Sequence, residues 1–506
     1  MWAHRVLPSS PHVKTRHATL PAAPSATLVA PMASFSEKLR SLDVYRDTVA
    51  TVVLMLHQAA LSALFAFAAT FVFSLGLLVS GQSAYAQSSA VFIAGVTGMS
   101  SVFHLVVVFA AFSSLLARYR WRQRPEHAPP PWFWPWRLLR RSARHTIVTV
   151  AAIHAFAYAV SLAPQALHPF QLHFYGAVAI ANYNTAVLDV CTRELYETET
   201  VTGGARRLRT TSSTAATTTI SSTLSGLQAL EPKQTSFWRR VGRAYVRNIS
   251  ILLALSAAAA YIQVASHLTI DADWQLVAFS LGSLAFRMLI LKVSQRVTLR
   301  HGRIHERTIY LSTVVPTVMI DTQVRFLQLR VQDHVSIKGL LAVMAVEPLL
   351  RLTRCALVAR RLRRLRHRRA LAASRAAAAA LAQQIDRVLR FAAAEVHADM
   401  CSEYIAMACS ASIYVFFQGH PKFIWRANSD TQDTGQQQQN QRYTRVSVFL
   451  LQVALEILID SVCSVWELLL DIPLRVAASV KSHSTILFVG CAVANISVCC
   501  SLYAAH

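Results

Sequence analysis

Charge is what this sequence has least of. Only 15% of its 506 residues are charged, against about 25% in an average soluble domain, while 54% are hydrophobic. A soluble chain this long would fold as roughly three domains, each needing a charged surface that these residues cannot supply. Acids are the scarcer sign, 25 against 50 Lys+Arg. Paired cysteines are lacking too. None of the eight lies in a Cys-x-x-Cys pair or a short outer connection, which excludes a disulfide frame and a zinc site. No nucleophile elbow, phosphate loop, dinucleotide fingerprint or His-Glu-x-x-His is present, so neither an enzyme nor a cofactor is expected.

Long apolar runs fill the chain instead: 49–80, 90–117, 146–163, 170–190, 249–266, 274–293, 401–417, 446–470 and 484–504. Runs of about 20 residues cross a hydrocarbon core of about 30 Å, so the expected fold is an all-α polytopic membrane bundle. The connections 81–89, 164–169 and 267–273 hold no Lys or Arg, whereas the intervening ones are crowded with Arg. That alternation predicts a cytoplasmic N-terminus and three hairpins with short outer turns. The excess of bases is therefore assigned to inner loops and not to nucleic acid.

Between 294 and 358 the apolar pattern breaks. Pro316, Asp321, Arg325, Glu347, Pro348 and Arg351 interrupt two segments, 308–328 and 337–358. They read as two further crossings, a re-entrant pair or an amphipathic cytoplasmic hairpin, giving nine to eleven spans. Asp321–Arg325 and Glu347–Arg351 have the spacing of ion pairs within a helix. Residues 1–48 read as a disordered cytoplasmic tail, 191–248 as a Thr/Ser-rich cytoplasmic linker open to phosphorylation, and Gln436–Gln441 as part of an outer polar linker. The segment 129–136, PPPWFWPW, reads as an interfacial anchor. Cys191 stands where acylation at the inner face competes with burial as a small hydrophobe.

The residues with chemical promise are acids. Glu456, Asp460, Glu467 and Asp471 share one face of the penultimate span, with Cys463 beside them. Asp399 and Glu403, following Glu395 at spacings of four, mark a second stripe, and Arg287 is expected near the depth of Asp460. An ionised carboxylate at mid-bilayer costs about 2.5–3.5 kcal/mol, so these groups must face protein or water. A cation or proton pathway is one reading, and structural ion pairing is the other. His57, His104 and His154 have similar depth on the first three spans and read chiefly as packing residues.

Residues 351–369 carry nine Arg. Arg361, Arg364 and Arg368 occupy positions a voltage-sensor helix keeps apolar, so Arg360, Arg361, Arg363, Arg364, Arg366, Arg368 and Arg369 predict a cytoplasmic helix on an anionic leaflet. The run 370–396 is Ala-rich and should be helical.

VPTVMIDTQVR (Val315–Arg325) and EVHADMCSEYIAMACS (Glu395–Ser410) resemble segments of an expanded group of oomycete multi-pass transmembrane proteins. The resemblance implies that 308–358 enters the membrane, and it transfers no catalytic residue. The functional expectation is a transporter or channel for a cation or proton-coupled solute, in the plasma membrane or an endomembrane. A non-permeating scaffold or receptor acting through the basic helix and anionic lipids is the alternative.

Overall fold

A computed structural model describes residues 42–74, 88–163 apart from 118, 125, 127 and 128, 170–205, 236–266, 273–300, 306–331, 337–372, 374–417, 435–470 and 478–502. Residues 1–41 of the expected tail and most of the two expected linkers lie outside these residues, while 42–48 belong to the first helix. The described residues form eleven helices and no strand beyond an isolated bridge between Trp121 and Thr200. In chain order they are α1 (Leu42–Ser74), α2 (Ser89–Leu116), α3 (Phe133–Ser161), α4 (Leu172–Glu199), α5 (Phe237–Ser266), α6 (Asp273–Arg300), α7 (Glu306–Val331), α8 (Ile337–Ala370), α9 (Arg375–Phe417), α10 (Gly435–Leu469) and α11 (Ala478–Leu502).

Five stretches are apolar and long enough to cross a membrane: Thr48–Ser74, Thr97–Leu116, Phe133–Ser161, Arg375–Phe417 and Phe449–Leu469. Helix α5, bent by 43° between Ile249 and Ile251, supplies a sixth if both halves belong to one span. A helix satisfies its own backbone polar groups, which is why such runs take this form in lipid. The outer surface agrees: Leu64, Phe65, Val102, Val106, Ile147, Val148, Leu458 and Val462 are all exposed. Water would not tolerate an apolar surface this extensive, whereas lipid favours it. The chain is an integral membrane protein.

Helix α9 is the core of the bundle. Its most apolar window is 78% buried inside the protein, against 17% for α2, so α2 faces lipid and α9 faces other helices. Helix α7 lies beside α9 and also packs on α5, α6 and α11. Tyr310, Val314, Val318, Met319 and Ile320 of α7 join the main core with Ala398, Cys401 and Ile405 of α9 and Phe488 of α11. Helix α7 is thus packed among other helices and not laid on the surface of the bundle.

Polar contacts lock helices for which lipid supplies little hydrophobic drive. Gln58 of α1 donates to Ser484 at 3.0 Å and Thr485 at 3.1 Å on α11. Asn495 of α11 donates to Thr322 of α7 at 2.9 Å, and Thr70 of α1 meets Ser412 of α9 at 3.0 Å. At Gly176 an added Cβ would sit 1.9 Å from the Phe156 ring, so this ring rests on the glycine backbone where α3 meets α4 and would have to move for any larger residue.

Several helices outrun their apolar cores. Helix α3 starts at Phe133 where the sequence predicts 146, α5 starts at Phe237 where it predicts 249, and α4 continues to Glu199. Gln436–Gln441 belongs to α10 and not to a linker. Hydropathy falls at the first Arg or Gln, but both are good helix formers, so the helix continues. Within PPPWFWPW, Trp132 and Trp136 are exposed as an interfacial anchor requires, while Trp134 is buried against Leu138, Val187 and Leu188.

Helices α8 and α9 pack antiparallel to one another. Leu362 and Leu365 of α8 pack with Leu381, Ile385, Val388 and Leu389 of α9. The basic helix therefore spends its apolar stripe on α9.

Candidate functional site

The acidic stripe of α10 is buried and longer than its acids suggest. Gln452, Glu456, Asp460, Ser464 and Glu467 are each 4% exposed or less. Their spacings of four, four, four and three keep them within an arc of about 120°, and they span about 22 Å of helix. Asp471 lies outside the described residues.

Arginines from the interrupted helices meet this stripe. Arg351 of α8 forks onto Glu467, with Nε donating to Oε1 at 2.8 Å and Nη2 to Oε2 at 3.1 Å. Its Nη1 donates to Asp460, so one guanidinium serves two carboxylates. Arg325 of α7 donates to Glu456 at 3.3 Å. Cys355 Sγ donates to Glu467 at 3.5 Å, and the Tyr404 hydroxyl of α9 lies against Asp460. Cys463, beside the stripe, is 2% exposed.

The second stripe joins the same seam. Arg354, one turn beyond Arg351, donates to Asp399 of α9 at 2.7 Å. Arg287 of α6 is fully buried and donates to Asp321 of α7 at 2.5 Å. Glu403 is buried, 4% exposed. Together α6, α7, α8, α9 and α10 contribute one ionic seam in which Asp321, Asp399, Glu456, Asp460 and Glu467 share Arg287, Arg325, Arg351 and Arg354.

The sequence reading placed Asp321 and Glu347 beside Arg325 and Arg351 on their own helices, and the structure adds partners from other helices. Arg325 reaches Glu456, Arg351 reaches Asp460 and Glu467, and Asp321 takes Arg287. The Glu347 side chain lies outside the described residues. Helix α8 bonds the acids of both α9 and α10, so the two stripes meet through its guanidiniums. Gln452 and Ser464 escaped notice because they carry no charge. Extending the four-residue spacing in both directions would have found them. Gln452 Nε2 and Ser464 Oγ are buried without a hydrogen-bond partner among the described residues.

A second ionic cluster ties the extended ends of α3, α4 and α5. Glu194 accepts from Arg141 at 2.7 Å and pairs with Arg240 at 2.6 Å. Asp189 bonds Arg193 at 3.2 Å and also Arg247, and Glu199 lies 3.7 Å from Arg137. Cys191, at this end of α4, is 1% exposed, and burial pushes its thiol up to about 11. It packs with Leu188 and Leu195, so burial wins over acylation.

The three histidines do not converge. His57 is exposed on α1, His104 faces the Ala181 backbone of α4, and His154 bonds Val150 of its own helix at 2.8 Å. Among the described residues no three His, Cys, Asp or Glu side chains are grouped to hold a metal. On the basic helix, Arg360, Arg361, Arg363, Arg364, Arg368 and Arg369 are exposed, whereas Arg366 is half-buried.

The site and fold define an all-helical integral membrane protein with a buried ionic seam. Comparison with the models of known protein families, with curated proteins and with solved structures finds no match.

Proposed function

We propose that the protein is a transporter or channel for a cation or a proton-coupled solute, with the α10 stripe as its pathway. The observation that carries this reading is that four buried carboxylates, Asp399, Glu456, Asp460 and Glu467, are gathered in one seam with arginines of α7 and α8. Burying ions is costly, and buried pairs are weak contributors to stability compared with apolar packing. Intramembrane ionisable groups accordingly mark ion and proton routes. Gln452 and Ser464 add unbonded polar atoms on the same face, which water or a passing ion would satisfy.

In this reading all eleven helices cross the membrane and the N-terminus is cytoplasmic. Alternation then puts the α8–α9 turn on the inner side, as its arginines require. Glu467 stands about 3 Å inside the inner end of the α10 apolar stretch, Asp460 about 14 Å and Glu456 about 20 Å. The seam thus rises from the inner mouth to beyond mid-bilayer, and Arg351 would exchange between its two carboxylates as a proton or cation passes.

The test is ion flux in sealed liposomes holding the purified chain, beside Glu456→Gln/Asp460→Asn. Flux is expected in the wild type and should be lost in the variant, with the fold checked by circular dichroism. No flux of protons or monovalent cations from folded wild-type protein would contradict the reading. A scaffold or receptor acting through the basic hairpin would then stand in its place.

A further inference from the structure

Leu362 and Leu365 hold α8 against α9, which decides where its arginines point. At 100° per residue, Arg360, Arg361, Arg363, Arg364 and Arg368 fall within an arc of about 160° opposite those leucines. Arg369 sits at the turn. All six are exposed, and none has an ion-pair partner among the described residues. Residues 360–390 hold ten arginines and one acid, Asp386, which is already bonded to Arg390.

The ridge also has a defined height. Helix α9 has 43 residues, about 64 Å, roughly twice the hydrocarbon thickness, so its first half projects from the membrane. Cys355 and Ala392 pack against Leu468 and Leu470, at the end of the α10 apolar stretch. Arg360 therefore lies about 7 Å beyond that level, within the headgroup layer, and Arg368 about 12 Å further along the helix. Because the ridge runs outward from the bilayer, a flat layer of singly charged headgroups meets only its base. A headgroup carrying phosphates that stand away from the glycerol meets several turns of it.

The geometry points to a binding ridge for polyphosphorylated lipid headgroups on the face of α8 formed by Arg360, Arg361, Arg363, Arg364 and Arg368. Arginine suits this ligand because its planar fork bonds phosphate oxygens in pairs. A lipid of the adjoining leaflet would meet the ridge at a higher effective concentration than a soluble polyanion does. The assignment does not depend on whether ions cross the bundle.

The test uses the full chain purified in detergent and a short-chain phosphatidylinositol bisphosphate as the probe. Three comparison probes are short-chain phosphatidylcholine, free inositol trisphosphate and a single-stranded RNA. Wild type should bind the bisphosphate lipid, weaken tenfold or more as salt rises, and ignore phosphatidylcholine. Arg360→Gln/Arg361→Gln/Arg364→Gln/Arg368→Gln should lose on the order of a hundredfold or more in affinity, at about 1 kcal/mol per base. Arg239→Gln/Arg243→Gln, exposed on α5, should leave binding unchanged and so separate the ridge from net charge. Equal lipid binding by the ridge variant would overturn the proposal. So would free inositol trisphosphate binding as tightly as the lipid, or RNA binding more tightly.

Discussion

The molecule holds two arginine–carboxylate clusters made from the same side chains in different surroundings. At the joined ends of α3, α4 and α5, the arginines of the pairs are 34–54% exposed and their acids 12–20%. In the seam of α6 to α10, the arginines are 1–22% exposed and the acids 0–14%. Water screens the first cluster, which helps set how helix ends meet but carries little energy. The second has exchanged water for its partners, so each member depends on the others remaining ionised.

Substitutions should separate the two clusters by size of effect. Arg351→Met orphans Asp460 and Glu467 together, and should cost about 3–5 kcal/mol or prevent accumulation of folded protein. Thermal unfolding in detergent measures this, and a loss below about 1 kcal/mol would show that the seam is hydrated like the exposed cluster. Arg287→Met alone should cost about 3 kcal/mol, by the same measurement. Arg287→Met/Asp321→Leu, which removes both charges, should recover most of that loss. Failure to recover would mean that packing, and not the orphaned charge, sets the penalty. Glu194→Gln, with Arg141 and Arg240 as partners, should cost at most about 1 kcal/mol and less at high salt. Arg193→Gln, at a pair within one helix, should be nearly silent.

The contrast also explains what the sequence made legible. Apolar runs of spanning length and the four-residue spacing of Glu456 and Asp460 are local signals, and both the helices and the buried face follow them. The partners are not local: Arg325 and Glu456 are 131 residues apart, and Arg351 and Glu467 are 116 apart. Helix-period reasoning reaches only acids of the same helix, such as Asp321 beside Arg325, and has no view of Glu456. Helix α7 was hard to place for a related reason. Its Thr313, Thr317, Thr322, Gln323 and Arg325 lower its hydropathy, yet each is buried among protein neighbours and not in lipid. Hydropathy reports suitability for lipid, and a helix surrounded by helices escapes that test. The exposed cluster was hidden by the same measure, because Arg137, Arg141, Arg240 and Arg247 lie beyond the apolar runs, where loops are expected.

The α10 stripe as an ion route is the central claim, and its uncharged members allow the most direct test. Gln452→Leu/Ser464→Ala removes two unbonded polar atoms without orphaning any charge, so it should fold as the wild type does. Flux through sealed liposomes should fall at least tenfold in this variant if the stripe is the pathway. Flux equal to the wild type, from protein with the same thermal stability, would contradict it and leave the seam as a purely structural ionic core.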